Sequence, residues 1–194
     1  EDHGSIAVIK LNRPEKRNAL DPETVMMFNE FSEKAKDPKF RAVIVTGDES
    51  AFCGGADITA AVSEDGMGWE SVEQALNEGY HIGLNNMIYM DKVVIAAVEG
   101  ACAGIGCAYY LSSDIAVMAK SSFFQIGFSK IALIPDGGSN WLLTKVVGYQ
   151  QAFRMAAEAK RDSAEECQNL GMCTEVCKDG SALETAMELA KHYA

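Results

Sequence analysis

No apolar run in the 194 residues approaches the length of a membrane span, because glycine, serine or charge interrupts each hydrophobic segment within about ten residues. A basic surplus is also missing. Lys and Arg number 17 against 28 Asp and Glu, giving a formal charge of −11, and basic residues nowhere cluster with interleaved aromatics. That argues against nucleic acid as a partner. Six cysteines, Cys53, Cys102, Cys107, Cys167, Cys173 and Cys177, lack paired metal spacing, since only the last two stand close and no second pair is near. Such scattered thiols fit a reducing compartment and argue against zinc. Signal-like segments, internal repeats and low-complexity tracts are absent, and an opening at Glu1 without methionine is expected of a trimmed or processed form. The length suits a single domain over 1–194 with a sizeable core.

The most informative stretch runs over 93–117. Val93–Val98 has the β-branched content of a strand buried on both faces. After Glu99-Gly100 follow Ala101, Cys102, Ala103, Gly104, Ile105 and Gly106, where nearly bare backbone lets a ligand approach closely. From Ile105 the apolar spacing becomes helical through Cys107, Ala108, Tyr109 and Leu111. A helix starting there aims its first N–H groups at whatever lies over the glycines, an arrangement suited to a developing oxyanion. The alternative is a glycine-rich turn that packs a helix tightly on a sheet.

Residues 5–11 and 41–46 read as further strands, with a polar, proline-marked loop at 12–18. Asp21-Pro22 predicts a capped helix carrying Val25, Phe28, Phe31 and Ala35 on one face, ending near Asp37-Pro38. Residues 51–58, AFCGGADI, are a second bared backbone stretch. A loop over 62–68 and a loose helix over 69–89 lead back to Val93. Pro135-Asp136-Gly137-Gly138-Ser139 then breaks the chain before a helix from about Asn140, and helices are predicted over 152–159, 163–170 and 181–193. Strand, glycine turn, helix and strand recur, implying β/α units with right-handed crossovers.

Four pieces in this order resemble the crotonase superfamily, the enoyl-CoA hydratase/isomerase family: Leu11-Asn12-Arg13-Pro14 with Asn18-Ala19-Leu20; residues 52–58; residues 100–106; and residues 130–138. The resemblance covers nearly the whole chain and implies an α/β spiral of β-β-α units with a helical C-terminal part, shorter here than is usual in the family. It implies an acyl-CoA thioester as substrate, with coenzyme A entering only as part of it and no metal. It further implies homotrimers or paired trimers, with helices from about residue 149 at the trimer contact, and a location in the cytoplasm or a fatty-acid-oxidising organelle. Carried across by motif, the oxyanion-hole amides are those of Ala56 and Ile105. The coenzyme cradle falls on Lys16, Arg17 and Ala19, with Ala56, Asp57 and Ile58 near the adenine. For Lys16 and Arg17 the alternative is a solvated loop.

Hydratases of this family use two glutamates, whose positions hold Ala108 and Phe128 here, and neither residue can move a proton. Asp136 is the only acid between Phe123 and Val147, where isomerase branches carry theirs, and residues 130–148 look most like the ring-epoxide isomerases. One carboxylate within reach of two carbons can shift a double bond. Phe128, Ile134 and Trp141 are expected to make its surroundings apolar and raise its pKa, whereas a role as helix cap would lower it. An acyl-CoA isomerase is thus the leading expectation, with hydration, thioester hydrolysis or a non-catalytic acyl-CoA scaffold as alternatives. Asp57 is read as an N-cap, Glu99 as a turn residue, Asp114 as a backbone anchor and Cys107 as a buried thiol. His81 is read as exposed or packed, and Tyr109, Tyr110, Met26 and Met27 as core or interface.

Overall fold

The computed structural model describes residues 1–58 and 71–194; the loop predicted over 62–68 and the predicted helix start at Trp69 lie outside the described residues. Among the described residues, ten strands form two sheets. The larger has the order β1 (Asp2–His3), β2 (Ile6–Lys10), β3 (Ala42–Thr46), β5 (Val93–Val98), β7 (Ile115–Ala119) and β10 (Glu175–Cys177), parallel except for the β1–β2 pair. The smaller has the order β4 (Ala51–Cys53), β6 (Ala101–Ala103), β8 (Phe123–Gln125) and β9 (Asp162–Ser163), with only β8–β9 antiparallel. From β3 to β8 each turn of chain gives one strand to the large sheet and the next to the small one, then a helical segment, as a β-β-α spiral requires.

β5 is buried on both faces, as its unbroken apolar run predicts. Val94, Ala96 and Val98 join one core with Val43, Val45 and Phe28, while Ile95 and Ala97 join a second with Ile44 and Val117. The second core is closed by Ala182, Ala186 and Ala190 of the last helix, α7 (Ala182–Tyr193). Alanines at four-residue spacing let that helix lie close to the sheet. Glu99 secures its start, its carboxylate accepting the Ala182 N–H at 2.9 Å, so this acid is a helix anchor on the large-sheet side. Asp114 anchors backbone as expected, accepting the Val94 N–H at 2.9 Å.

α1 (Pro22–Lys34) begins where Asp21 Oδ1 accepts the Thr24 N–H at 2.8 Å, and it buries Val25 and Phe28. Phe31, predicted on the same face, is exposed, as are Met26 and Met27, so none of the three is core. The predicted helix over 69–89 appears as Val72–Gln74, a π-helical turn over Ala75–Tyr80, and α2 (His81–Ile88). The chain continues through α3 (Gly106–Leu111), α4 (Ser139–Val147), α5 (Tyr149–Glu158) and α6 (Ala164–Asn169). Among the described residues no helix is long and apolar enough to cross a membrane.

Candidate active site

The two bared backbone stretches meet at the ends of β4 and β6. Cys53 pairs with Cys102 in the parallel ladder, and two residues further on Gly55 meets Gly104, with Ala56 and Ile105 next in their chains. The glycines do touch. A Cβ on Gly55 would come 3.2 Å from Ala103 O and 3.5 Å from Gly104 Cα, and Gly55 holds φ +105° while Gly104 holds +54°. Absence of side chains is what permits this approach. The Ala56 and Ile105 N–H groups, one residue beyond each glycine, have no hydrogen-bond acceptor among the described residues. Residues 101–103, expected as bare loop, are strand β6, so ladder pairing rather than loop shape fixes the second amide.

Gly106 begins α3 directly against β4: a Cβ there would sit 2.8 Å from Cys53 Cβ and O and 2.9 Å from its Sγ. We expect Gly106→Ala to push these stretches apart, costing about 1–3 kcal/mol by overpacking and lowering the thermal midpoint. An unchanged midpoint would show that the contact yields freely.

The third piece is the 135–139 turn. Gly137, at φ +59°, packs on α3, where a Cβ would lie 3.1 Å from Ile105 Cγ1 and 3.2 Å from Ala108 Cβ. This sets the chain neighbour of Asp136 against the residue that bears the second amide. The carboxylate does not cap α4. Gly138 occupies the cap position without a side-chain hydrogen bond, and the Ser139 N–H goes to the Asp136 main-chain oxygen at 2.9 Å. Asp136 Oδ1 and Ser139 Oγ are buried without partners among the described residues. Burial pushes the Asp136 carboxyl up to about 6, against a small lowering by its own backbone N–H.

The apolar surroundings of Asp136 differ from those expected. Ile134 is 82% exposed and Trp141 58% exposed, so neither shields it. Phe128 is buried, as are Ile105 and Ala108 against the neighbouring Gly137, and the Tyr80 hydroxyl is near enough to feel the Asp136 charge. A carboxyl whose pKa rises on folding binds its proton more tightly in the native state, so its contribution to stability is lost as pH climbs from about 4 to about 6. Discounted for partial exposure, the loss is on the order of 1 kcal/mol. Urea titrations across this window should show the decline in wild type and a smaller one in Asp136→Asn.

The loop over 12–20 lies along the Ala56 stretch. Arg17 O accepts the Gly54 N–H at 2.9 Å, and Leu20 forms a parallel bridge with Ala56. Lys16, Arg17 and Ala19 are thereby brought beside Ala56, Asp57 and Ile58; Lys16, Arg17, Ala56 and Ile58 are exposed and Ala19 half-buried. Arg17 and Asn18 both adopt left-handed backbone, at φ 51° and 55°. Such strain persists where surroundings over-determine it. The buried Asn18 amide does so, accepting the Arg13 N–H at 2.7 Å and donating to Asp48 Oδ2 at 2.8 Å and Ala51 O at 2.6 Å.

Other candidates fall outside this chemistry. Asp57 is buried and ion-paired with Arg13. His81 heads α2, half-buried. Cys107 is buried, its thiol directed to Gln125 O at 3.3 Å; burial raises Cys53 to about 12, which makes that thiol a poor nucleophile. Tyr109 and Tyr110 are core. Among the described residues no three His, Cys, Asp or Glu side chains group as a metal site. Sequence reasoning gave no role to Asn18, Ser139 or Tyr80; the Arg-Pro-x-x-x-Asn spacing was the one available signal for Asn18.

Comparison with known proteins agrees with this fold. The sequence profile of the enoyl-CoA hydratase/isomerase family matches residues 1–194. A 1,2-epoxyphenylacetyl-CoA isomerase of Escherichia coli K12 is 32% identical over 190 residues, covering 97% of this chain and 72% of that protein. A carnitinyl-CoA dehydratase of Salmonella typhi is 33% identical over 191 residues, covering 97% and 71%. The crystal structure of an enoyl-CoA hydratase from Polaromonas sp. JS666 superposes with a TM-score of 0.89 at 32% identity, covering 100% of this chain and 75% of that one. This chain therefore spans somewhat under three quarters of these relatives. With a spiral fold, paired glycine stretches and a full-length profile match in agreement, the chain belongs to the enoyl-CoA hydratase/isomerase family.

Proposed function

We propose that the protein is an acyl-CoA isomerase, in which the Ala56 and Ile105 amides hold the thioester oxygen while Asp136 removes an α-proton and returns it two carbons away. The observation that carries this reading is the half-buried Asp136 carboxylate, with Oδ1 unpartnered among the described residues, a pKa of about 6, and its chain neighbour Gly137 packed on Ile105. Such a group is ionised at neutral pH yet basic enough to take a proton, so kcat/KM should rise to a plateau above about pH 6. The enolate formed on proton loss is stabilised by the two amides. Water addition lacks support because Ala108 and Phe128, buried at the two further positions, carry no acid or base. Lys16, Arg17 and Ala19, with Ala56, Asp57 and Ile58, are proposed to take the nucleotide end of coenzyme A. Cationic side chains suit its phosphates in this acidic protein. Assembly into trimers or paired trimers is proposed as well, supported by the exposed Ile131, Leu133, Ile134, Trp141, Tyr149 and Phe153.

The test is mass spectrometry of 3-enoyl- and 2-enoyl-CoA after incubation. Isomerisation yields a product of unchanged mass and shifted retention. Gain of one water would replace the proposal with hydration, release of free coenzyme A would replace it with hydrolysis, and binding without turnover would leave a scaffold.

A further inference from the structure

One side chain of the 11–14 motif reaches further than any step above uses. Arg13 Nη2 lies 3.1 Å from both Asp21 Oδ2 and Asp57 Oδ2, and Nη1 donates to Ala19 O at 2.6 Å. These acceptors surround a single bridge. Leu20 and Ala56 pair in isolation, through Leu20 N to Gly55 O at 2.8 Å and Asp57 N to Leu20 O at 2.9 Å. Ala19 and Asp21 flank Leu20 on one side, and Asp57 adjoins Ala56 on the other. The guanidinium therefore fastens together the two chain segments whose pairing sets the direction of the Ala56 N–H. Its planar fork matches three separated acceptors, which the point charge of a lysine cannot do. Arg13 also opens the loop bearing Lys16, Arg17 and Ala19, and its own N–H is held by Asn18 at 2.7 Å.

We infer that Arg13 is a positioning residue that couples the 16–19 loop to the Ala56 amide, so that binding of the nucleotide end of an acyl-CoA aligns the hydrogen-bond donor at the thioester end. The inference rests on the proposed function. Binding energy gathered far from the reacting carbon can be directed into alignment at that carbon, and a substrate lacking the remote part then loses kcat as well as affinity.

The experiment compares kcat and KM for a 3-enoyl-CoA and for the same acyl group on N-acetylcysteamine, a thioester without the nucleotide. Wild type should show a higher kcat on the coenzyme A thioester. Arg13→Lys should lose about tenfold to a hundredfold of kcat on that substrate and little on the short one, so the ratio between substrates collapses. The acid limb near pH 6, set by Asp136, should stay in place. Asp21→Asn, which removes the charge facing Arg13 while keeping an amide oxygen able to cap α1, supplies the same comparison if Arg13→Lys fails to fold. Equal losses on both substrates, or equal wild-type kcat values on the two, overturn the coupling while leaving the isomerase reading intact. Turnover of neither thioester by wild type overturns both.

Discussion

Replacement of Asp136 by Asn should lower kcat on a 3-enoyl-CoA by about 10²- to 10⁴-fold, the usual range for loss of a positioned acid–base group. Asparagine keeps the shape of the side chain, and Asp136 Oδ1 makes no hydrogen bond among the described residues that an amide would break. The variant should therefore fold, bind coenzyme A thioesters with similar KM and lose only the proton transfer. Neighbours offer no substitute: Ala108 and Phe128 have no ionisable group, and burial keeps the Tyr80 hydroxyl protonated well beyond its usual range. Liquid chromatography of the isomeric products gives the rate directly. Wild-type rates in Asp136→Asn would remove this carboxylate from the mechanism.

Deleting the Ala56 N–H should cost about 10²- to 10³-fold in kcat, near 3 kcal/mol of barrier, as loss of one oxyanion donor does elsewhere. Ala56→Pro removes that hydrogen and spares the flanking bonds, which use Gly55 O and Asp57 N, while putting a ring carbon in its place and fixing φ. Gly55 precedes it at φ +105°, and the residue before a proline is restricted, so an ester in place of the amide is the control free of this constraint. Thermal melting and titration with coenzyme A separate misfolding from lost catalysis. A folded, coenzyme-binding variant with undiminished kcat would sink the assignment of Ala56 as an oxyanion donor.

The long strands were legible because β-branched runs such as 41–46 and 93–98 admit few other readings, and Asp21-Pro22 marked α1 through cap chemistry. Strand β6 was hidden. Ala101-Cys102-Ala103 has no branched or aromatic residue, and its strand state comes from being wedged between β4 and β8. The surroundings of Asp136 were only half legible: the acid stood out, but the exposure of Ile134 and Trp141 depends on how the 128–139 segment leaves the sheet. Gly138, in left-handed backbone at φ 81°, turns the chain so that the aspartate cannot reach the first amides of α4, which overrides the capping preference of its residue type. Arg13 was quoted as part of a motif, yet its partners at 19, 21 and 57 meet only in the folded chain.

The Ala56 and Ile105 amides follow the ends of adjacent parallel strands, so their spacing rests on the interstrand repeat of about 4.8 Å and on the bare glycines before them, and needs no functional group on either side chain. Residues 108, 128 and 136, in contrast, contribute only through what their side chains carry. Under the proposed function, a lineage built on this plan can exchange one reaction for another by substitutions at those three positions, because the proposed oxygen-holding donors are written in main chain and are not erased when they change.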